Sequence, residues 1–279
     1  MGRGNLYGNR QRDILQLLML DNTMSVKDLA EKLDVSLVTI RRDLDTLQQQ
    51  GLVKKFHGSV MICKQDSPVT LFNLSLEKNN VQKRAIASVA ASLIQPNNVI
   101  SIDASGTTYC VADYLPSEFP VKVITNHLLA AMRFLSCPNV EVIQIGGTLS
   151  PTTISATDYF AVQFCKDFHT DIAFLSSSSF CMPNGSFDLI SAFLEIKKTF
   201  LSITNRVVFM ADSSKFNKTA LFVSVPIERI DTIITDDKIS KESIRQIVDY
   251  GSELYIANTK DGSVLQHYNP RNVHDPAVL

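Results

Sequence analysis

The stretch VSLVTIRRDL, residues 35–44, decides the fold of the N-terminal part of the chain. Ile40, Leu44 and Leu47 recur at the spacing of one helical face, which leaves Arg41 and Arg42 on other faces. A serine precedes this repeat, at a place where its hydroxyl can cap the helix. The pattern predicts a helix with one buried stripe and a basic outer side, which is typical of a recognition helix that enters a DNA groove.

The residues on either side complete a small domain. Arg10 to Leu20 carry a second helical pattern, and the segment from Ser25 to Asp28 has the form of a capping box. Two β-prone runs, 52–56 and 60–62, follow the central helix and suggest a short hairpin. We predict a winged helix-turn-helix over residues 7–62, with the helix-turn-helix at about 24–43. A solvated basic patch on an ordinary three-helix unit is the alternative interpretation.

Beyond this domain the pattern changes. Residues 63–80 show no sustained period and are predicted to be a linker. Residues 81–258 alternate amphipathic segments with short apolar strands, so we expect an α/β domain with a mostly parallel sheet covered on both faces. The polar tail at 259–279 is expected to be poorly ordered. The predicted strands are Val99–Ile102, Val121–Thr125, Val140–Ile145, Ile172–Leu175, Val207–Ala211, Thr232–Thr235 and Glu253–Ala257.

Composition narrows the class of protein. Apolar residues are 45% and charged residues 20%, which is typical of a globular chain, and the formal net charge is -1. Residues 1–64 hold ten Lys and Arg against seven Asp and Glu, so a slightly basic head precedes an acidic body. The five cysteines form no C-x-x-C pair, and no apolar run approaches the length of a membrane span. We expect a cytoplasmic protein without membrane, metal or cofactor.

Two loops of the predicted α/β domain carry anion-binding chemistry. Residues Asp103 to Thr108 follow a strand and offer a glycine and several hydroxyls, and Lys215 follows another strand. Ligands of open α/β sheets bind outside the carboxyl ends of the strands, and a lysine neutralises phosphate oxygens without fixed geometry. For each loop an ordinary turn or an exposed surface lysine is the competing interpretation.

The run VS-x-x-TIRRDL followed by a glycine and a short wing resembles the DNA-binding domain of the DeoR family of bacterial transcription regulators. Segments further along the chain resemble that family's effector domain, from the loop at 103–108 through Thr125-Asn126, Gly146-Gly147, Glu195–Lys198 and Asp212–Phe216 to Thr235-Asp236. In that family this domain resembles ribose-phosphate isomerases and senses phosphorylated sugars.

The resemblance and the local patterns together imply two sets of site residues. For DNA binding these are Ser36, Thr39, Arg41, Arg42, Lys54 and His57. For effector binding they are Asp103, Ser105, Gly106, Thr107, Thr108, Asn126, Gly146, Gly147 and Lys215.

Two departures from the family pattern stand out. The wing ends in His57-Gly58-Ser59-Val60 where the family has His-Gly-Gly-Ala, so the family pattern does not determine the geometry of this turn. Residues Ser176 to Ser179 occupy a loop that is rich in glycine in the family, so the effector is expected to differ in size or polarity. A serine-rich turn without ligand contact is the alternative.

The leading hypothesis is a non-enzymatic repressor of a carbohydrate-metabolism operon. Its partners would be double-stranded operator DNA and a phosphorylated sugar, and a homo-oligomer, dimer or higher, is expected because one winged helix reads only one half-site. One rival is a sugar-phosphate isomerase or related sugar-modifying enzyme that would draw its acid or base from Asp103, Asp212 or Glu195. His57 lies in the wing and His127 has no obvious paired carboxylate, so neither histidine suits that role. The other is a protein-interaction module, which the exposed arginine pair disfavours.

Overall fold

The computed structural model describes residues 9–21, 23–49, 52–62 and 68–269. The chain divides into two compact units, with the boundary between Lys78 and Asn79.

The first unit is a helical domain with a three-stranded antiparallel sheet, in which the strand Ser59–Ile62 lies between Thr23–Ser25 and Val53–Phe56. Its second helix begins after Ser25, whose hydroxyl accepts a hydrogen bond from the Asp28 amide at 3.0 Å, as the capping box predicts. The elements in chain order are α1 (Asn9–Asp21), β1 (Thr23–Ser25), α2 (Val26–Lys32), α3 (Leu37–Gln49), β2 (Val53–Phe56), β3 (Ser59–Ile62) and α4 (Pro68–Glu77).

The core of this unit follows from the helical periodicity. Ile14 and Leu18 of α1, Leu29 of α2, and Ile40 and Leu44 of α3 are fully buried in one cluster. Each buried aliphatic side chain of this size contributes about 1.5–3 kcal/mol, so the shared cluster holds the three helices together. The winged helix-turn-helix architecture is thereby confirmed, with the strand β1 added to the predicted hairpin.

The predicted linker at 63–80 is wrong over most of its length. Pro68–Glu77 forms the helix α4, which packs on α1 and buries Leu74 in the helical core. An ion pair of 2.6 Å between Lys78 and Asp13 adds to this contact. Proline is well tolerated in the first turn of a helix, so Pro68 marks a helix start here, not an irregular segment. Residues 63–67 lie outside the described residues.

The second unit is an α/β domain in which helices alternate with strands. Its elements are α5 (Asn80–Ala91), β4 (Val99–Ile102), α6 (Gly106–Tyr109), β5 (Val121–Thr125), α7 (Leu128–Phe134), β6 (Val140–Gln144), β7 (Leu149–Ser150), β8 (Ser155–Ala156), α8 (Tyr159–Cys165), β9 (Thr170–Leu175), β10 (Ser179–Cys181), β11 (Gly185–Asp188), α9 (Ala192–Ile203), β12 (Thr204–Met210), β13 (Phe222–Pro226), β14 (Thr232–Asp236), α10 (Lys241–Tyr250), β15 (Glu253–Ala257) and β16 (Val264–Tyr268).

The main sheet has eight strands in the order β16-β15-β14-β12-β9-β4-β5-β6. All neighbours pair in parallel except β15 and β16. From β4 the chain first builds outward through β5 and β6, and it then returns to place β9 on the other side of β4. The loops after β4 and β9 therefore leave in opposite directions, and such a switch point opens a crevice at the carboxyl edge of a sheet.

Three features of this unit depart from the sequence predictions. The amphipathic segment expected after β4 forms only a single α-turn, α6, followed by a 3₁₀ turn at Cys110–Tyr114. A second antiparallel sheet, β10-β11-β13, lies in segments for which no strand was predicted. The tail is ordered as far as residue 269, because β16 pairs with β15 and His267 stacks on Tyr255. Residues 270–279 lie outside the described residues.

Within the described ranges, no helix has the length and apolar character needed to cross a bilayer. The same ranges hold no group of three metal-ligating side chains. Four of the five cysteines are described and all four are free thiols. Burial raises the pKa of Cys165 to about 12 and that of Cys110 to about 11, so both stay protonated.

Candidate functional site

The recognition helix α3 starts at Leu37 because Ser36 caps it. The Ser36 hydroxyl accepts a hydrogen bond from the Thr39 amide at 3.2 Å and lies 2.8 Å from the Thr39 hydroxyl. Both hydroxyls remain at the exposed beginning of the helix. The cap therefore determines the residue at which α3 begins.

The outer face of α3 carries the predicted arginine pair. Arg41 and Arg42 are exposed, and in the described part of the chain no carboxylate pairs with either of them. Val38 lies three and four residues before them, on the same side of the helix, and is 75% exposed. The sequence analysis did not select Val38, although its place outside the buried repeat could have indicated it.

The wing adds two further predicted residues. Lys54 is exposed on β2, with its ammonium 5.7 Å from the centre of the Phe56 ring. His57 is exposed in the two-residue turn between β2 and β3, where Gly58 adopts a positive φ of 74°. The turn therefore uses a glycine where the left-handed conformation requires one. Lys55 is an ion-pair partner of Asp45 on α3, so the wing is joined to the recognition helix.

Asp43, the acidic residue of the TIRRDL run, faces inward. It is 7% exposed and accepts hydrogen bonds from the Arg10 guanidinium and, at 3.5 Å, from the Gln11 amide. Because both partners belong to α1, this carboxylate joins the first helix to the recognition helix. Its role in the run is structural.

The second candidate site lies at the carboxyl edge of the main sheet, at the switch point between β4 and β9. Asp103 follows β4 and is 3% exposed. Its carboxylate accepts hydrogen bonds from the Ser176 amide at 2.9 Å and from the Thr108 hydroxyl at 2.8 Å. Asp103 thus connects the loops that follow two neighbouring strands.

Lys197 is the central residue that the sequence analysis missed. It lies on α9, is 3% exposed, and forms an ion pair of 2.6 Å with Asp188. Its ammonium also lies 3.6 Å from the Asp103 carboxylate and donates to the Ser176 carbonyl and, at 3.1 Å, to the Ser177 hydroxyl. The four-residue match at 195–198 contained Lys197, but no local pattern distinguishes this buried lysine from its exposed neighbour Lys198.

Burial and charge act against each other in this cluster. Burial raises the pKa of Asp103, and the Lys197 ammonium and the Ser176 amide oppose that shift. Burial also disfavours ionised Asp188, yet contact with Lys197 holds the pKa of this carboxyl below its usual value. Asp188 and Lys197 therefore form a buried ion pair.

Lys215 approaches the same point from the loop after β12. Its ammonium donates a 3.0 Å hydrogen bond to the Ser176 hydroxyl. Burial lowers the pKa of Lys215, while the charges of Asp212 and Asp103 act in the opposite direction. No carboxylate among the described residues lies within ion-pair distance of it, so Lys215 is the lysine of this cluster with donors left for an anion.

The loop at 105–108 differs from the open cradle that its sequence predicts. The Ser105 hydroxyl caps α6 by accepting from the Thr108 amide at 3.2 Å, and the Thr108 hydroxyl is bonded to Asp103. The Thr107 hydroxyl, in contrast, is buried and has no partner among the described residues. Thr107, unlike Ser105 and Thr108, therefore has unused hydrogen-bonding capacity. Gly106 is the first residue of α6.

Asn126, Gly146 and Gly147 form a separate group near β8 and α8. The buried Asn126 amide donates to the Ala156 carbonyl at 3.0 Å. Gly147 has a φ of 133°, and a Cβ there would overlap the Asp158 carboxylate that caps α8. Gly146 is exposed and has open space beside it. Packing explains Gly147, whereas the Asn126 side-chain oxygen is buried and has no partner among the described residues.

The residues named for the rival enzymatic hypothesis have structural partners or lie elsewhere. Glu195 pairs with Lys198 on the exposed side of α9 at 2.8 Å. Asp212 accepts a hydrogen bond from Asn79 at 2.9 Å and caps the turn at Ser213–Lys215. Burial lowers the pKa of His127 to about 4, so its ring is neutral near pH 7. His57 lies in the other unit.

The serine run after β9 is mostly buried, in contrast to a simple surface turn. The Ser177 hydroxyl lies 2.9 Å from that of Ser186 and 3.1 Å from that of Ser224, and these two lie 3.0 Å apart. The Ser178 amide donates to Asp188 at 3.1 Å, and the buried Ser179 hydroxyl has no partner among the described residues. The run thus surrounds the Asp188–Lys197 ion pair with hydroxyls.

Comparisons with solved structures give partial overlaps. Ribose 5-phosphate isomerase A from Neisseria gonorrhoeae is 15% identical, with a TM-score of 0.35, over 48% of this chain and 52% of its own. The translation initiation factor eIF-2B from Pyrococcus horikoshii is 14% identical, with a TM-score of 0.40, over 83% of this chain and 90% of its own.

Comparisons with sequences are more informative. The HTH-type transcriptional regulator GolR of Listeria innocua is 33% identical over 248 residues, which are 89% of this chain and 98% of that protein. The L-fucose operon activator of Haemophilus influenzae is 30% identical, over 81% of this chain and 91% of its own. A putative aga operon transcriptional repressor of Escherichia coli O157:H7 is 28% identical, over 88% and 93%.

Family assignments agree with both halves of the chain. Residues 10–66 match the DeoR-like helix-turn-helix domain, and residues 78–237 match the DeoR C terminal sensor domain. The second match alone covers more than half of the 279 residues. The chain belongs to the DeoR family of transcriptional regulators.

Proposed function

We propose that this regulator is a repressor of a carbohydrate-metabolism operon and that a phosphorylated sugar controls its binding to operator DNA. The relatives named for the aga and L-fucose operons support the operon class. One observation supports the effector class above others: Lys215 is a half-buried ammonium at the switch point whose described hydrogen bond goes to a neutral hydroxyl.

In this proposal the phosphate group lies at the carboxyl edge of the sheet. Lys215 supplies a full positive charge, and the Thr107 hydroxyl, which has no partner among the described residues, supplies a hydrogen bond. The Asp103 and Asp188 carboxylates near this point are acceptors of the kind that sugar hydroxyls use. A phosphorylated sugar would thus find groups for both of its ends within one cluster.

The winged helix in this proposal binds DNA with the outer face of α3. Arg41 and Arg42 contact base edges or phosphates in the major groove, Val38 offers an apolar surface to thymine methyl groups, and Lys54 and His57 of the wing contact the backbone. A homo-oligomer, dimer or higher, follows because two half-sites are read by two recognition helices. The effector changes DNA affinity to the extent that it binds one conformation more tightly than the other.

The test is an anisotropy titration of the full-length chain on duplexes selected from a random pool, with and without a panel of sugar phosphates. We expect one member to weaken DNA binding and to stabilise the protein by about 2.7 kcal/mol at 100 times its dissociation constant. The unphosphorylated sugars are the matched controls and should do neither.

Two substitutions test where the effector binds. Lys215→Met and Thr107→Val should abolish or weaken the response to the effector while DNA affinity without the effector is unchanged. Lys218→Met is the control, because this exposed lysine of the same loop bonds the Ser214 carbonyl instead. A Lys215→Met protein with a normal response would show that the effector binds elsewhere.

A further inference from the structure

Ser176 is the residue on which the switch-point contacts converge. Its amide donates to Asp103, its carbonyl accepts from Lys197, and its hydroxyl accepts from Lys215 at 3.0 Å. It is only 1% exposed. Two charged side chains from different elements thus hold its backbone, and its buried hydroxyl is within hydrogen-bond distance of Lys215.

We infer that Ser176 is a positioning residue that holds the Lys215 ammonium where a phosphate group of the effector is captured, an inference that rests on the proposed effector site. A lysine side chain has four rotatable bonds, and a free ammonium would lose much conformational entropy on binding an anion. The Ser176 hydroxyl takes one of the three N–H donors and leaves two for phosphate oxygens. The side chain is therefore ordered before the ligand arrives.

This role depends on the Ser176 hydroxyl, which a glycine at this position would not supply. The neighbouring serines have other partners: Ser177 bonds Ser186 and Ser224, and Ser178 bonds Asp188. Within the serine run, the Lys215 ammonium donates its hydrogen bond to the residue at position 176. The run thus has distinct functions at its successive positions.

The inference is tested by acylating the native full-length protein with trace acetic anhydride and measuring the modification of each lysine by mass spectrometry. Ser176→Ala removes an acceptor from the Lys215 ammonium, which favours the reactive neutral amine. We expect Lys215 to react on the order of five to ten times faster, since hydrogen bonds to charged groups are among the stronger ones. Lys198, exposed on α9, is the internal reference.

Inorganic phosphate is then titrated into the same reaction. Phosphate should protect Lys215 in the wild-type protein, and half-protection should need several times more phosphate in Ser176→Ala. Ser178→Ala, a change two positions away, should behave as wild type in both measurements. Ser176→Gly provides a second variant without the hydroxyl should the alanine protein fail to fold.

The outcomes separate the two claims. An unchanged Lys215 rate in both Ser176 variants overturns the positioning role. A faster rate with equal phosphate protection in variant and wild type also overturns it, because the ordering would then not serve anion capture. If phosphate does not protect Lys215 from acylation in the wild-type protein, the proposed phosphate site itself is overturned.

Discussion

The two units of this regulator use charge in opposite ways. On the recognition helix, Arg41 and Arg42 are exposed and have no carboxylate partner in the described structure, and they come from one ten-residue run. In the sensor unit, Lys197 and Asp188 are almost completely buried and paired, and their contacts join segments that are far apart in sequence. Exposed charges suit a polyanion that binds over a wide surface, whereas buried, paired charges suit a small ligand with fixed geometry.

The largest effect should come from breaking the buried cluster. Lys197→Met leaves the carboxylates of Asp188 and Asp103 buried without their ammonium, which should lower the free energy of unfolding by about 3–5 kcal/mol. Urea denaturation measures this loss. Lys198→Met, which removes the adjacent exposed pair with Glu195, should change stability by less than about 1 kcal/mol. Equal effects of the two substitutions would contradict the contrast between buried and exposed charge.

A pH dependence sharpens the contrast further. Burial lowers the pKa of His127 to about 4, from the value of 6.5 that it has in the unfolded chain. Between these two pH values the unfolded chain binds a proton at His127 that the folded chain does not bind. The free energy of unfolding should therefore fall as the pH drops from 6.5 to 4, by about 3 kcal/mol in total from this residue. His127→Gln should remove this component, which the difference between the two denaturation curves measures. Parallel curves for both proteins would show that His127 does not contribute.

The exposed arginines are expected to matter for binding and little for folding. Arg41→Ala and Arg42→Ala should each weaken DNA affinity by about 1–3 kcal/mol if they read bases, with relaxed specificity, or reduce the salt slope if they contact phosphates. Arg245→Ala on α10 of the sensor unit is the control. Unchanged affinity and salt slope in both arginine variants would refute the assignment of the recognition face.

The smallest effect concerns Val38. Replacing a thymine by uracil in the selected operator duplexes removes one methyl group. Where Val38 contacts that methyl group, the wild-type affinity should fall about fourfold per half-site, as expected for one buried methyl group. Val38→Ala should be insensitive to the same replacement. Leu37→Ala, an exposed neighbour on a different side of the helix, should keep the sensitivity. If Leu37→Ala loses it instead, the methyl contact belongs to Leu37.

The winged helix could be predicted in some detail because its determinants are local. The spacing of Ile40, Leu44 and Leu47 sets the buried face of α3, and the cap at Ser36 sets its start. The strands Val121–Thr125 and Glu253–Ala257 have the bounds that were predicted, since each has a clear apolar period. The edge strand β16 was missed because its exposed residues carry no such period.

The sequence alone was sufficient for the two-part organisation, the parallel α/β class and the surface of the recognition helix, because these depend on periodicities within a few turns or strands. Only the tertiary structure decided that α4 joins the helical core, that the Ser105 and Thr108 hydroxyls form their hydrogen bonds within their own loop, and that Lys197 rather than Lys198 is buried. The reason is physical: burial of a charge is determined by which carboxylates and carbonyls the fold brings to it, and Asp103, Ser176 and Asp188 reach Lys197 from strands whose order no local pattern specifies.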